Sequence, residues 1–152
     1  MARYTTTQTT GWDPDTAFAW MADLRHLADW DPSIEASEQV VGDGPGVGSE
    51  YDVSVRAAGG VRTMRYRIEE WEPAARRLLA VSETPVLTSY DRISVEAVEG
   101  DVRTTAVTYD ADLVMKGPAK VADPLVALGF RKMGDEAAVG LAEALHRAAP
   151  PT

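Results

Sequence analysis

Cysteine is absent from all 152 residues of the chain. Its absence excludes disulfides, thiolate metal sites and cysteine nucleophiles. No apolar run approaches the length of a membrane-spanning helix, and the first ten residues, MARYTTTQTT, contain no apolar core of a secretory signal. We therefore expect a cytoplasmic protein without a membrane span.

Basic residues are also scarce. The chain has 15 Lys and Arg residues against 24 Asp and Glu, for a net charge of −9. No run of basic residues is longer than the pairs Arg76-Arg77 and Arg131-Lys132. Because nucleic-acid binding requires a basic face that neutralises phosphates, we expect no nucleic-acid partner. Binding to an anionic membrane surface is disfavoured for the same reason.

The stretch VGDGPGVGSEY, residues 41–51, is rich in glycine. A glycine-rich phosphate loop must open a helix, whose N-terminal amides hold the anion. This loop instead leads into SEYDVSV, which alternates as a strand does, and no Lys-Ser or Lys-Thr pair follows it. We interpret the stretch as the connection of a β-hairpin.

The rest of the sequence predicts a strand, two short helices, a series of further strands and a long C-terminal helix. Residues 2–10 suit a strand, Asp13 and Pro14 suit the cap and first position of a helix, and a second short helix ends at Asp31-Pro32. Five or six half-buried strands follow. Residues 118–147 then predict a long helix, with a kink or a short leading turn at Asp123-Pro124.

The long helix has one apolar stripe and three internal glycines. Its stripe residues recur every three or four positions: Ala122, Val126, Phe130, Met133, Ala137, Leu141 and Ala144. Gly129, Gly134 and Gly140 weaken a helix intrinsically. The sequence leaves two explanations open, which are close packing of the helix on the sheet and space left for a ligand.

Three segments carry a family resemblance: DPDTAFAWMADLRHLADWDPSI, GDGPGVGSEY and the helix after MKGPAK. Together they resemble the START-like (SRPBCC) superfamily, specifically its bacterial polyketide cyclase/dehydrase-type members. The resemblance implies an α+β helix-grip fold, in which an antiparallel sheet of six to seven strands wraps around the long C-terminal helix, with two short helices after the first strand. We expect one domain over residues 1–148 and a disordered tail at 149–152.

The resemblance further implies a cavity for a small hydrophobic molecule of lipid, polyketide or aromatic type. The alternative is a polyketide aromatase/cyclase or dehydratase on the same scaffold. Strand parity and the helical stripe predict which residues line the cavity. They are Trp30, Tyr51, Val53, Met64, Tyr66, Ser89, Asp91, Ile93, Val107, Tyr109, Val126, Phe130 and Met133.

Candidates for catalysis are few, and the sequence does not decide whether any reaction occurs. Asp91 shares the inward parity of Ile93, although fraying at the strand end would instead turn it to water. His26 is either an acid/base at the cavity rim or a helix residue with a local polar contact. The spacing of His26, Asp29 and Asp31 fits no known metal site, so we expect no metal and no other cofactor. Whether the protein forms a homodimer is left open.

Overall fold

A computed structural model describes residues 2–57, 59–100 and 103–150 of the chain. Seven strands, three α-helices and two 3-10 segments follow one another. In order they are β1 (Ala2–Thr10), α1 (Pro14–Ala22), a 3-10 turn (Leu24–His26), α2 (Leu27–Trp30), β2 (Ile34–Val41), β3 (Glu50–Ala57), β4 (Gly60–Glu72), β5 (Arg77–Glu83), β6 (Leu87–Ala97), β7 (Thr105–Met115), a second 3-10 segment (Gly117–Ala122) and α3 (Asp123–Leu145).

The strands form one antiparallel sheet in the order β1-β7-β6-β5-β4-β3-β2. Strands β2 to β7 pair in sequence order, and β1 pairs with β7 along its whole length. Alternation along each strand turns one set of side chains toward the helices, as expected for a sheet with one covered face. The predicted helix-grip fold, with its seven strands and C-terminal helix, is confirmed.

Short helices cover one end of the sheet. The Asp13 carboxylate caps α1 by accepting a hydrogen bond from the Thr16 amide at 2.9 Å, and Pro14 occupies the first turn. The same helix buries Phe18, Trp20 and Met21. The chain leaves α2 at Asp31, as the Asp-Pro step predicts.

The glycine-rich stretch connects β2 to β3, which confirms the hairpin interpretation. The Gln39 side-chain amide closes the loop by donating to the Gly44 carbonyl at 2.8 Å, while its oxygen accepts from the Gly44 amide. Ser49 Oγ donates to the Gly46 carbonyl at 2.6 Å. Gly44 has a φ of 125°, which a residue with a side chain rarely adopts.

The predicted 118–147 helix is shorter in the structure. Residues 117–122 form a 3-10 segment, and α3 runs from Asp123 to Leu145. Pro124 lies in the first turn of α3, where the backbone N–H that proline lacks would have no partner within the helix. Residues 149 and 150 of the predicted tail follow the helix without regular structure, whereas residues 151 and 152 lie outside the described part.

Two of the helical glycines allow close packing. A Cβ at Gly134 would overlap the ring of Tyr4 on β1, and one at Gly140 would overlap the backbone carbonyl of Trp30. Gly129, by contrast, is exposed and has open space around it. The hypothesis that Gly129 makes room for a ligand is therefore wrong, because its position on the helix faces solvent rather than the sheet.

Candidate ligand-binding site

Polar side chains from four adjacent strands meet on the covered face of the sheet. On β4, β5 and β6, Tyr66 lies opposite Ser82, and Ser82 lies opposite Ser89. Two residues further along β6 is Asp91, and Tyr109 follows on β7 opposite Ile93. We call Tyr66, Ser82, Ser89, Asp91 and Tyr109 the polar band. It interrupts a face that is otherwise apolar.

Asp91 is the centre of this band. Its side chain is buried, with 8% of the residue exposed. Ser89 Oγ donates to one carboxylate oxygen at 2.7 Å, and the Tyr109 hydroxyl donates to the other. Of the two orientations that the sequence left open for Asp91, the structure has the inward one, and Ser89 is buried beside it. A buried carboxylate of this kind is tolerable because both oxygens have donors.

Burial decides the ionisation of the band. Burial raises the pKa of Asp91 to about 6. The hydrogen bonds from Tyr109 and Ser89 lower this pKa, and the nearby charges of Asp31 and Asp112 raise it. Burial also raises the pKa of Tyr66 and of Tyr109, and the Asp91 charge adds to both shifts. The two tyrosines therefore remain hydrogen-bond donors, while Asp91 exchanges a proton near neutral pH.

Trp30 and Asp31 approach the band from the end of α2. The Trp30 ring packs edge-to-face on Tyr109, with ring centroids 5.2 Å apart. One Asp31 oxygen accepts from the Ser33 amide at 2.8 Å and from its hydroxyl at 2.7 Å. Burial raises the pKa of Asp31, and the Glu136 charge on α3 adds to the shift.

Asp31 also lines a groove of about 460 Å³ between α2 and α3. The groove is acidic, with Asp29, Glu35, Glu136 and Glu143 on its walls and Arg56 as its basic residue. It opens beside Trp30, on the outer side of the α2–α3 contact. Asp31 thus stands between this open groove and the polar band, whose tyrosines its charge influences.

The middle of α3 lies against β1, two strands away from Asp91. Gly134 rests on Tyr4, which is the β1 neighbour of Ala111, and Ala111 is in turn the β7 neighbour of Asp91. Three residues of the apolar stripe precede this contact on the helix, and all are only half-buried: Val126, Phe130 and Met133. The buried residues of α3 lie at its other end and are Leu141, Ala144 and Leu145.

One comparison decides the family. The family described as "Polyketide cyclase / dehydrase and lipid transport" matches residues 1–146. This chain belongs to that family. Members of the family bind hydrophobic ligands, and the superfamily resemblance seen in the sequence is confirmed. No curated protein matches the chain significantly. In the described part of the chain, no helix is long and apolar enough to cross a membrane.

Solved structures of low identity share the fold of this family member. A START superfamily protein from Mycobacterium smegmatis has a TM-score of 0.75 at 16% identity, over 95% of this chain and 97% of that one. The aromatase/cyclase Zhui from Streptomyces sp. R1128 has a TM-score of 0.70 at 21% identity, over 96% of each chain. A major latex-like protein from Panax ginseng reaches 0.60 at 14% identity, covering 89% and 97%.

Not all predicted residues of this family member come together. His26 is half-buried away from the band's hydrogen bonds: its ring stacks on Trp20 at 5.1 Å, and its Nδ1 lies 2.7 Å from the Trp20 carbonyl oxygen. Tyr51 is fully buried beside the band, opposite Tyr66 in the register of β3 and β4. Burial raises its pKa, and charges on Asp23 and Arg25 also influence it.

The remaining predicted residues belong to the packed core. Val53, Ile93 and Val107 are almost wholly inaccessible, and Met64 packs against them from a half-buried position. Sequence reasoning missed Ser82 and the placement of Asp31. For Ser82 a signal existed, because it shares the parity of Leu78 and Ala80 on β5.

Proposed function

We propose that this protein binds a small hydrophobic ligand between the polar band and the N-terminal half of α3. One observation carries the proposal: a half-buried apolar stripe on α3 leads up to the contact of the helix with β1, and a buried, hydrogen-bonding band lies two strands away on the same sheet. Apolar walls with a few convergent polar groups are the usual composition of a small-molecule site.

The band indicates what kind of hydrophobic molecule fits. Tyr66 keeps its proton and can donate to a ligand carbonyl or hydroxyl, whereas the Tyr109 hydroxyl already donates to Asp91. The Ser82 hydroxyl is buried and has no hydrogen-bond partner among the described residues, although it lies between Tyr66 and Ser89 in the sheet register. A mainly apolar ligand with one oxygen-bearing group would satisfy these donors, whereas a pure hydrocarbon would leave them unpaired.

Native mass spectrometry of the purified protein tests the proposal directly, because a co-purified ligand adds its mass to the chain. Binding of the neutral dye Nile red provides a second measurement. Val126→Trp places a large ring on the inner stripe and should reduce Nile red binding roughly tenfold or more. Leu128→Trp adds the same ring on the outer face, where Leu128 is 69% exposed, and serves as the matched control. Equal binding by both variants would contradict an interior site.

Asp91 supports a second candidate, an aromatase/cyclase or dehydratase. A general acid works best when its pKa lies near the working pH, and burial brings the pKa of Asp91 to about 6. In this role the protonated carboxyl would give its proton to a ligand oxygen. Ser89 and Tyr109 would hold the carboxylate that results through the hydrogen bonds they already make.

Two substitutions separate the candidates. Asp91→Asn keeps a hydrogen-bonding side chain of the same size, so ligand affinity should stay within a few fold while any turnover of a poly-β-ketone substrate disappears. Asp91→Ala removes the hydrogen bonds and should weaken binding by roughly 1–3 kcal/mol. Unchanged turnover by Asp91→Asn would exclude Asp91 as the acid and leave binding as the function.

A further inference from the structure

Large apolar side chains point into solvent at the end of the molecule where α3 begins. Val121 is 89% exposed, Leu125 77% and Leu128 69%. Leu125 and Leu128 are three residues apart, so they lie on one face of α3. Val86, 51% exposed, lies near the start of this region, because its carbonyl accepts a hydrogen bond from the Lys116 amide at 2.8 Å. We call Val86, Val121, Leu125 and Leu128 the apolar end face.

The same segment contains every lysine of the chain. Lys116, Lys120 and Lys132 all fall within residues 116–132, together with Arg131 and a single acidic residue, Asp123. This segment therefore has a net charge of +3 in a chain whose net charge is −9. A charge distribution of this kind concentrates positive potential around the apolar end face.

Two of the lysines are available to an external anion. Lys132 follows Leu128 by four residues and Leu125 by seven, which puts it on the same helical face. Lys120 directly precedes Val121. Neither lysine makes an ion pair within residues 2–57, 59–100 and 103–150, whereas Lys116 pairs with Glu83 at 3.0 Å. The long lysine stems can lie along an apolar surface while their ammonium groups reach outward.

We propose that the apolar end face docks on the surface of an anionic lipid bilayer. Aliphatic side chains would enter the boundary between headgroups and acyl chains, and Lys120 and Lys132 would meet lipid phosphates, as on helices that lie in the membrane interface. The face combines aliphatic side chains, which suit the acyl-chain boundary, with lysines, which complement the charge of lipid phosphates.

This proposal departs from the expectation that an anionic membrane surface is disfavoured, because that expectation rested on the net charge of the whole chain and not on the local charge. Charges separated by more than about 8 Å in physiological salt are largely screened from one another. Apart from Asp123 in its first turn, the acidic residues of α3 are in its second half: Asp135, Glu136 and Glu143. At a rise of 1.5 Å per residue, Asp135 lies about 10 Å and Glu143 about 20 Å along the helix from Leu128. A bilayer at the apolar end face therefore meets mainly the local positive charge.

Docking would give the ligand site access to a membrane. The inner side of the same helical half borders the proposed ligand site through Val126, Phe130 and Met133. A hydrophobic ligand dissolved in the bilayer would then reach the polar band over a short path. This consequence rests on the proposed function, but the docking itself does not.

Cosedimentation with vesicles tests the inference. The wild type should bind phosphatidylcholine vesicles that contain phosphatidylglycerol, and bind pure phosphatidylcholine vesicles at least several-fold more weakly. The double variants Leu125→Gln/Leu128→Gln and Lys120→Gln/Lys132→Gln should each lose roughly tenfold or more of this binding. Val139→Gln is the matched control, because Val139 is 60% exposed on the acidic half of the same helix; its binding should equal the wild type.

The proposal is overturned if the wild type does not bind anionic vesicles, even if it binds an acidic protein instead. It is also overturned if the double variants bind the vesicles as strongly as the wild type does. Nile red binding without vesicles separates this result from the ligand site. Normal Nile red binding with no vesicle binding overturns docking alone. Vesicle binding that depends on the four residues, without Nile red binding, supports docking and contradicts the ligand site.

Discussion

The two halves of α3 have nearly the same length and the same apolar period, yet one is buried and the other is largely exposed. In the C-terminal half, Leu141 and Leu145 are fully buried and Gly140 meets the Trp30 backbone. In the N-terminal half none of the residues is buried, and Leu125 and Leu128 are largely exposed. The difference shows that one helix can anchor the fold with one end and leave the other end to a ligand or a surface.

The physical cause lies in what stands opposite each half. Aromatic and aliphatic side chains of α1, α2 and the sheet fill the space beneath the C-terminal half in one continuous core. The N-terminal half has no buried residue, and Gly134 at its end contacts Tyr4 on β1, two strands from the buried Asp91. Dense apolar packing stabilises the contact of the C-terminal half.

Substitution of Leu by Ala in each half should show the largest contrast. Leu141→Ala removes a fully buried side chain, and we expect it to lower the free energy of unfolding by about 2–5 kcal/mol. Leu128→Ala should change it by less than about 0.5 kcal/mol, because Leu128 is 69% exposed. Urea denaturation measures both. Similar losses would mean that the two halves are equally packed.

The pH dependence of stability tests the polar band. Burial raises the pKa of Asp91 to about 6 from an ordinary value of 3.8, so the folded protein holds a proton that the unfolded chain has lost between these pH values. The contribution of Asp91 to stability should therefore fall by about 1–3 kcal/mol as the pH rises from about 4 to about 7.

Asp91→Asn provides the control for this effect, because an amide does not titrate. The free energy of unfolding of the wild type, relative to this variant, should decrease over the same pH range. Denaturation curves for both proteins between pH 4 and pH 8 give the measurement. If the two stabilities change in parallel with pH, Asp91 is not the group responsible.

Replacing one glycine by alanine in each half of α3 should change the stability of the protein in opposite directions. Gly140→Ala forces a Cβ into the Trp30 carbonyl and should destabilise the fold by about 1–3 kcal/mol. Gly129→Ala meets open space and should stabilise it by up to about 1 kcal/mol, since alanine favours the helix. Thermal unfolding followed by circular dichroism measures both variants. A destabilised Gly129→Ala variant would contradict the exposed position of this residue.

The smallest expected effect concerns the point where the halves meet. The Tyr4 hydroxyl donates to an Asp135 carboxylate oxygen at 2.9 Å, beside the close contact of Gly134 with the Tyr4 ring. Tyr4→Phe removes the hydrogen bond and keeps the ring, so it should lower the free energy of unfolding by about 0.5–1 kcal/mol. In a protein that already has Asp135→Asn, Tyr4→Phe should lower the free energy of unfolding by less. Equal decreases with and without Asp135→Asn would show that the hydrogen bond does not contribute to stability.

Sequence reasoning predicted the fold well, whereas the ligand-binding residues stay a prediction. Alternation and the Asp-Pro steps were enough for the strand and helix order, and parity favoured an inward Ser89 and Tyr109 but left Asp91 open. Parity cannot say which inward residues lie in a filled core, so it placed Val53 and Val107 in the predicted cavity lining. It also cannot predict that His26 stacks on Trp20, because that contact depends on how the chain turns between α1 and α2.

By itself the sequence determined the periods of the strands and the helix, the hairpin at the glycine-rich loop and the caps at Asp13 and Asp31, because each depends on residues close together in the chain. Only the tertiary structure decided the pairing of Asp91 with Tyr109, the approach of Asp31 from α2 and the different packing of the two halves of α3. These features depend on residues far apart in the chain, and burial, which sets their energies, exists only once the chain has folded.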